Sequence, residues 1–333
     1  MVIKAKASAA KFCLLTVSHA PLIPETIKTI AISPVRTELT ALFLNESVKS
    51  YCLKIAGITI AVETDQPHEA KEEFLAFLAD GNNPDYRAVF RQVEKLPPLP
   101  SQILHEDISY RVHPVGENFL RSFFDAPRHQ KPYGVAVRED RMIRVDYLEE
   151  GAHCVSQMHN SFFHLGFESL LLREGRLCLH AAAVSTHLGG ILFSGQSGVG
   201  KSTQAELWCR CRNAKLINGD RPILARQGSE WLAWGSPYAG SSRCHINENC
   251  PVMAIVMLRQ EKNCSLRRLE APEAFRAVWS GLTMNSWDEK QVAAAVDLAL
   301  QLIETVPVFE YGCTPDEKAV TYLEKELQTL WNK

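Results

Sequence analysis

The residues with the clearest chemistry are Gly-Gln-Ser-Gly-Val-Gly-Lys-Ser-Thr at positions 195–203. The spacing Gly195-x-x-x-x-Gly200-Lys201-Ser202 is that of a P-loop, a cradle for phosphate. Its glycines let the backbone turn successive N–H groups inward at a helix N-terminus, where the helix dipole also favours an anion. Each position then has an expected task. Gly195 opens the turn, and the backbone of Ser197, Gly198, Val199, Gly200 and Thr203 holds the β-phosphate. Lys201 reaches the β- and γ-phosphates, and the Ser202 hydroxyl ligates Mg²⁺. The expected cofactors are ATP, as the default nucleoside triphosphate, and Mg²⁺. A Gly-rich surface turn is the plain alternative, although the pattern arises by accident in a chain this long only about one time in a hundred.

A metal held with phosphate calls for an acidic partner at the end of a nearby strand. Asp220 is the candidate, ending the run Lys215-Leu-Ile-Asn-Gly-Asp. Arg221 beside it can offset phosphate or substrate charge. Gly219-Asp220 would serve equally as a hairpin turn. His180 ends Leu177-Cys-Leu-His just upstream of the loop. A histidine there can handle a proton, yet a lone histidine among apolar residues is more often a hydrogen-bonded core residue, and the sequence leaves both open. Arg243 lies in the Gly/Ser/Pro stretch Gly235–Glu248, which has polar side chains to bind an acceptor. Its guanidinium suits a phosphate or carboxylate, with a solvated loop arginine as the alternative.

The elements that must position these groups read as strand, Gly-rich turn, helix, strand. Gly190–Ser194 is an apolar strand, Thr203–Arg210 has helical spacing, and Ala214–Asp220 is strand-like again. Helical spacing over Ser161–Leu172 leads into Leu177–Val184. Further strands are expected at Trp231–Trp234 and Ala254–Leu258, and helices at Pro272–Leu282, Glu289–Thr305 and Pro315–Trp331. The N-terminal part is richer in strands: Tyr51–Glu63 reads as one or two around Gly57, and Tyr133–Val137 and Met142–Tyr147 flank a turn at Arg138–Asp140. Pro67–Ala79 reads as a short helix, and Leu96-Pro-Pro-Leu-Pro100 as a loop. The expected organisation is a β-rich domain over 1–150 and a nucleotide-binding domain over 151–333.

The run Leu179-His-Ala-Ala-Ala-Val, the segment from Gly190 through the loop to Trp208, and Lys215-Leu-Ile-Asn-Gly-Asp-Arg-Pro together resemble the HPr kinase/phosphorylase family. They are closer still to the HPr-kinase-related proteins labelled phosphoenolpyruvate-carboxykinase-like. The resemblance covers residues 175–330, takes in Trp234-Gly-Ser-Pro-Tyr-Ala-Gly, and finds no specific counterpart for residues 1–150. It implies an α/β fold with a P-loop core of that type and a phosphotransferase with an alcohol acceptor. In the family two adjacent aspartates follow the loop, the first as general base and the second assisting the metal. Here the pair is Gly219-Asp220. Asp220 therefore carries over as metal ligand, and the base position has no side chain. His180 lines up with a family histidine near the phosphates and, like Asp220, could take over the proton. The departure argues against HPr as substrate and points to a hydroxyl of a small metabolite or of a peptide or protein serine. A catalytically weak nucleotide-binding regulatory module and a carboxykinase-like enzyme are the alternatives. HPr kinases assemble as hexamers, which a site motif does not carry over, so homo-oligomerisation stays open.

Bulk properties agree with a soluble enzyme. Thirty-six basic residues stand against 38 acidic ones, a net charge of −2, which provides no broad positive field for nucleic acid. No apolar run approaches the ~20 residues that span a bilayer, and Phe12–Val17 is too short for a signal-peptide core. No membrane partner and a cytoplasmic location are expected. The ten cysteines are scattered, which favours reduced thiols. Neither Cys209/Cys211 nor Cys244/His245/Cys250 has the paired spacing of a structural zinc site.

Overall fold

The computed structural model describes residues 48–68, 72–81, 83–124, 131–155 and 166–331. It is a mixed α/β structure with two nine-stranded sheets. In the first, β1 (Val48–Ile55) and β2 (Ile58–His68) form a hairpin turning at Ala56-Gly57, whose φ angles of 47° and 83° match the twist of the strands. There follow β3 (Leu78–Ala79), β4 (Tyr86–Gln92), β5 (His105–Glu106), β6 (Tyr110–Val115), β7 (Asn118–Phe123), β8 (Gly134–Glu139) and β9 (Met142–Tyr147). Their order is β3-β1-β2-β4-β9-β8-β7-β6-β5. Along β4, Tyr86, Ala88 and Phe90 are buried while Arg87 and Arg91 are exposed, the alternation of a sheet with one wet face. The helix expected over Pro67–Ala79 shrinks to one turn, Glu72–Leu75. Strand β2 runs on to His68, and Leu78–Ala79 pairs with Leu53 and Cys52, so Phe74 and Phe77 anchor a crossing segment under the sheet.

Helix α1 (Phe167–Arg173) leads into the second sheet; the earlier part of the helix expected from Ser161 lies outside the described residues. The second sheet comprises β10 (Arg176–Cys178), β11 (Ala181–Thr186), β12 (Gly189–Ser194), β13 (Lys215–Asn218), β14 (Ile223–Gln227), β15 (Glu230–Trp234), β16 (Asn249–Gln260), β17 (Ser265–Arg268) and β18 (Val308–Cys313). Its helices are α2 (Lys201–Arg212), α3 (Ala271–Trp279), α4 (Glu289–Thr305) and α5 (Glu317–Trp331). The central strands are buried on both faces, which is why they read as continuous apolar runs. Ala181, Ala183 and Leu192 pack against Ala274, Val278, Ala295 and Leu302 of α3 and α4. Ala182, Val184, Ile191 and Phe193 face Ala205 and Trp208 of α2 and Val320 and Leu323 of α5. A third core joins the sheets, with Phe167, Leu170, Leu171, Ile223 and Tyr238 packed into the apolar face of the first.

Candidate functional site

Strand direction brings the candidate residues to one edge. Strand β12 runs parallel to β16 and antiparallel to β11, so Ser194 at its end faces Ala181 at the start of β11. His180 thus sits beside the loop that follows Ser194. Strand β13 is antiparallel to β11 and ends at Asn218, which delivers Gly219, Asp220 and Arg221 to the same edge. The hairpin alternative for Gly219-Asp220 does not hold, because β13 pairs with β11 while β14 pairs with β10 and β15.

The loop 195–200 leaves the apolar strand and turns into α2, whose first residue is Lys201 and whose cap is Gly200 at φ 111°. Gly195 has φ 136°, and a Cβ there would lie 3.3 Å from the Leu258 carbonyl oxygen, so the close approach of loop and β16 requires glycine. Gln260 Nε2 donates to the Gly198 carbonyl at 3.3 Å and ties the loop to the end of β16. Lys201 is buried, and its ammonium donates to the Gly195 and Gln196 carbonyls at 3.1 and 3.2 Å. Burial moves it below the ordinary lysine value, Asp220 opposes that shift, and Arg221 adds to it. Clefts of about 790 Å³, lined by 195–199 with Arg259 and Arg276, and about 450 Å³, lined by Ser202, Glu206, Gly219 and Ser242, flank the loop.

His180 Nε2 lies 3.2 Å from Asp220 Oδ1, and the backbone fixes both residues. The His180 N–H donates to the Gly281 carbonyl at 2.8 Å, Ser194 Oγ donates to the His180 carbonyl at 2.9 Å, and the Ala181 N–H donates to the Asp220 carbonyl at 3.0 Å. Burial is the largest influence on His180 and lowers its pKa, and the Lys201 cation lowers it further; Asp220 opposes them. The ring is therefore neutral at neutral pH. Arg221 Nε stands 3.7 Å from Asp220 Oδ2, and its Nη1 donates to Thr283 Oγ1.

Several bracing residues were missed by sequence reasoning. Buried Asn218 accepts the N–H groups of Asp220 and Arg221 on Oδ1 at 2.9 and 2.6 Å, and the Asn-Gly-Asp sequence carried that signal as a side-chain turn. Its Nδ2 donates to the carbonyl and hydroxyl of Ser236, whose Oγ donates to the Arg221 carbonyl at 2.7 Å. The expected acceptor loop is thus partly core: Ser236, Tyr238 and Ala239 are buried. The 3₁₀ turn Gly240–Ser242, Arg243 and Glu248 are exposed, and that turn presses on Gly219 and Asp220. A Cβ at Gly219 would collide with Ser242, so the empty base position is filled from the other side.

The nine described cysteines are free thiols, and among the described residues no three His, Cys, Asp or Glu side chains converge as a metal site. No described helix is long and apolar enough to cross a membrane.

No family model matches the chain, and no curated protein matches it. Among solved structures, the Hpr(Ser) kinase/phosphatase from Coxiella burnetii is similar at 13% identity, over 47% of this chain and 99% of that one, with a TM-score of 0.30. It is a distant neighbour over half the chain.

Proposed function

We propose that the chain is an ATP- and Mg²⁺-dependent kinase that transfers the γ-phosphoryl group to a hydroxyl of a small metabolite or of a peptide or protein serine. The observation that best supports this is the meeting, at one sheet edge, of a glycine loop capping a helix, a buried lysine and a His180–Asp220 pair 3.2 Å apart. The residues present fit the cofactors. The glycines at 195, 198 and 200 all have positive φ, and the N–H groups of the first turn of α2 have no partner within the helix. The backbone of 197–203 and Lys201 would hold the phosphates, and Ser202 and Asp220 would hold Mg²⁺. ATP would supply the phosphoryl group and Mg²⁺ its charge neutralisation.

The chain's own contribution is orientation, charge and a proton acceptor. An anion at the loop favours the charged form of Lys201 and offsets its burial. In the neutral His180 ring, a proton on Nε2 donates to Asp220 and leaves the Nδ1 lone pair to take the proton of an acceptor hydroxyl. Arg221, held by Thr283, and Arg243, at the exposed turn, would orient the acceptor. Residues 151–333 would form the catalytic part, and the β-rich residues 1–150 a part with its own role.

Gly219 favours a second reading, a nucleotide-binding regulatory module, because Ser242 fills the space of the missing base. Calorimetric titration with ATP and Mg²⁺, followed by ADP release with and without candidate acceptors, separates the two. Acceptor-dependent ADP supports the kinase; binding without it supports the module. No binding, or equal binding and turnover in Lys201→Ala, refutes the site.

A further inference from the structure

A cavity of about 400 Å³ lies in the seam between the two sheets, away from the glycine loop. It is lined from β7, β8, α1 and α4, and four cations face it: Arg121, Arg138, Arg173 and Lys290. Two of these are accounted for. Arg121 pairs with buried Glu168 at 3.0 Å, and Arg173 pairs with Asp140 at 2.5 Å. The other two are not: Arg138 Nη1 is buried without a hydrogen-bond partner, and Lys290 makes no ion pair among the described residues.

No described carboxylate around the cavity makes a hydrogen bond or ion pair to these two side-chain groups, and only the Asp288 charge acts on Arg138 from a distance. Asp288 uses Oδ1 to accept the N–H groups of Lys290 and Gln291, at 3.0 and 3.3 Å, and Oδ2 to accept Gln291 Nε2 at 2.6 Å. Glu117 is exposed at the rim, and Glu168 keeps Oε1 on Arg121 while its Oε2 is buried without a hydrogen-bond partner. Burial and then the neighbouring Arg173 cation push Arg138 below the ordinary arginine value, and Tyr86 and Asp288 oppose them only in part. A buried charged N–H without a partner is costly, and an anion is what removes that cost. Phe119, Leu172, Ala136 and Trp287 add apolar and aromatic wall, Trp287 with a buried, unpartnered indole N–H, beside the polar Asn118, Ser169 and Gln291.

The geometry points to a second binding site, for a small organic anion whose carboxylate or phosphate group meets Arg138 and Lys290 while its body lies against Trp287 and Phe119. The volume suits a metabolite-sized ligand. The site is independent of the nucleotide reading, since no residue of the 195–203 loop lines it.

Succinate and inorganic phosphate, titrated separately by calorimetry into the full chain and into Lys201→Ala, Arg138→Gln and Lys290→Glu, test the assignment. One probe should bind the wild type and Lys201→Ala alike, and bind Arg138→Gln and Lys290→Glu about 10-fold or more weakly. The probe that still binds Lys201→Ala and is weakened by the seam variants identifies the group as carboxylate or phosphate. Lys290 is exposed on the first turn of α4, so Lys290→Glu decides the matter if Arg138→Gln fails to fold. Binding of neither probe, or unchanged binding in both seam variants, overturns the site.

Discussion

At the scale of single residues, charge governs the candidate site. Lys201 is a buried cation held on two loop carbonyls, and its replacement by Ala removes the charge that a phosphate would meet. The expected loss in turnover is about 100-fold or more, read as ADP release. His180 should behave differently, because its ring pairs with Asp220. His180→Ala should leave ATP affinity unchanged in a titration and slow transfer by about 100-fold or more. Its pH signature has a definite sign. The folded pKa lies below the unfolded value of about 6.5, so the ring is a free base at neutral pH and transfer falls only on the acid side. Between those two values the unfolded chain binds more protons, so stability also declines as pH drops through this window. His180→Ala should lose both the acid limb of the rate profile and this part of the pH dependence in urea melts.

At the scale of elements, the packing of the Gly240–Ser242 turn on Gly219 decides how the site tolerates change. Gly219→Ala drives a methyl into Ser242 and should destabilise the protein by about 1–3 kcal/mol, while the double variant with Ser242→Gly recovers part of it, the Ala239 carbonyl oxygen still lying 3.0 Å from the methyl. A denaturation series on the three variants checks this; no recovery in the double variant would mean that the clash is not with Ser242. This contact was not legible in the sequence, because the 235–248 stretch has the composition of a solvent loop while Ser236 and Tyr238 are buried. What was legible has a local cause. Strand β12 reads as an apolar run because helices cover both its faces, and α4 was bounded at Glu289–Thr305 because Asp288 caps it through the N–H groups of Lys290 and Gln291. Strands β5 to β7 were missed because His, Arg and Pro interrupt their alternation. Strand β18, a short run between two helices, has pairings with β16 and β17 that exist only in three dimensions.

At the scale of the molecule, the two sheets share a core, and Arg121–Glu168 joins β7 to α1 with side chains only 7% and 6% exposed. Glu168→Ala removes the carboxylate partner of this buried guanidinium and should cost about 3–5 kcal/mol, measured by urea denaturation. A cost near zero would mean that the pair is wet in solution. The central claim is phosphoryl transfer, and γ-labelled ATP with Mg²⁺, a metabolite pool, serine peptides and HPr tests it most directly. The expected result is label on a hydroxyl of one metabolite or peptide, with HPr unlabelled and Lys201→Ala silent. Tight ATP binding with no label on any acceptor would contradict the kinase.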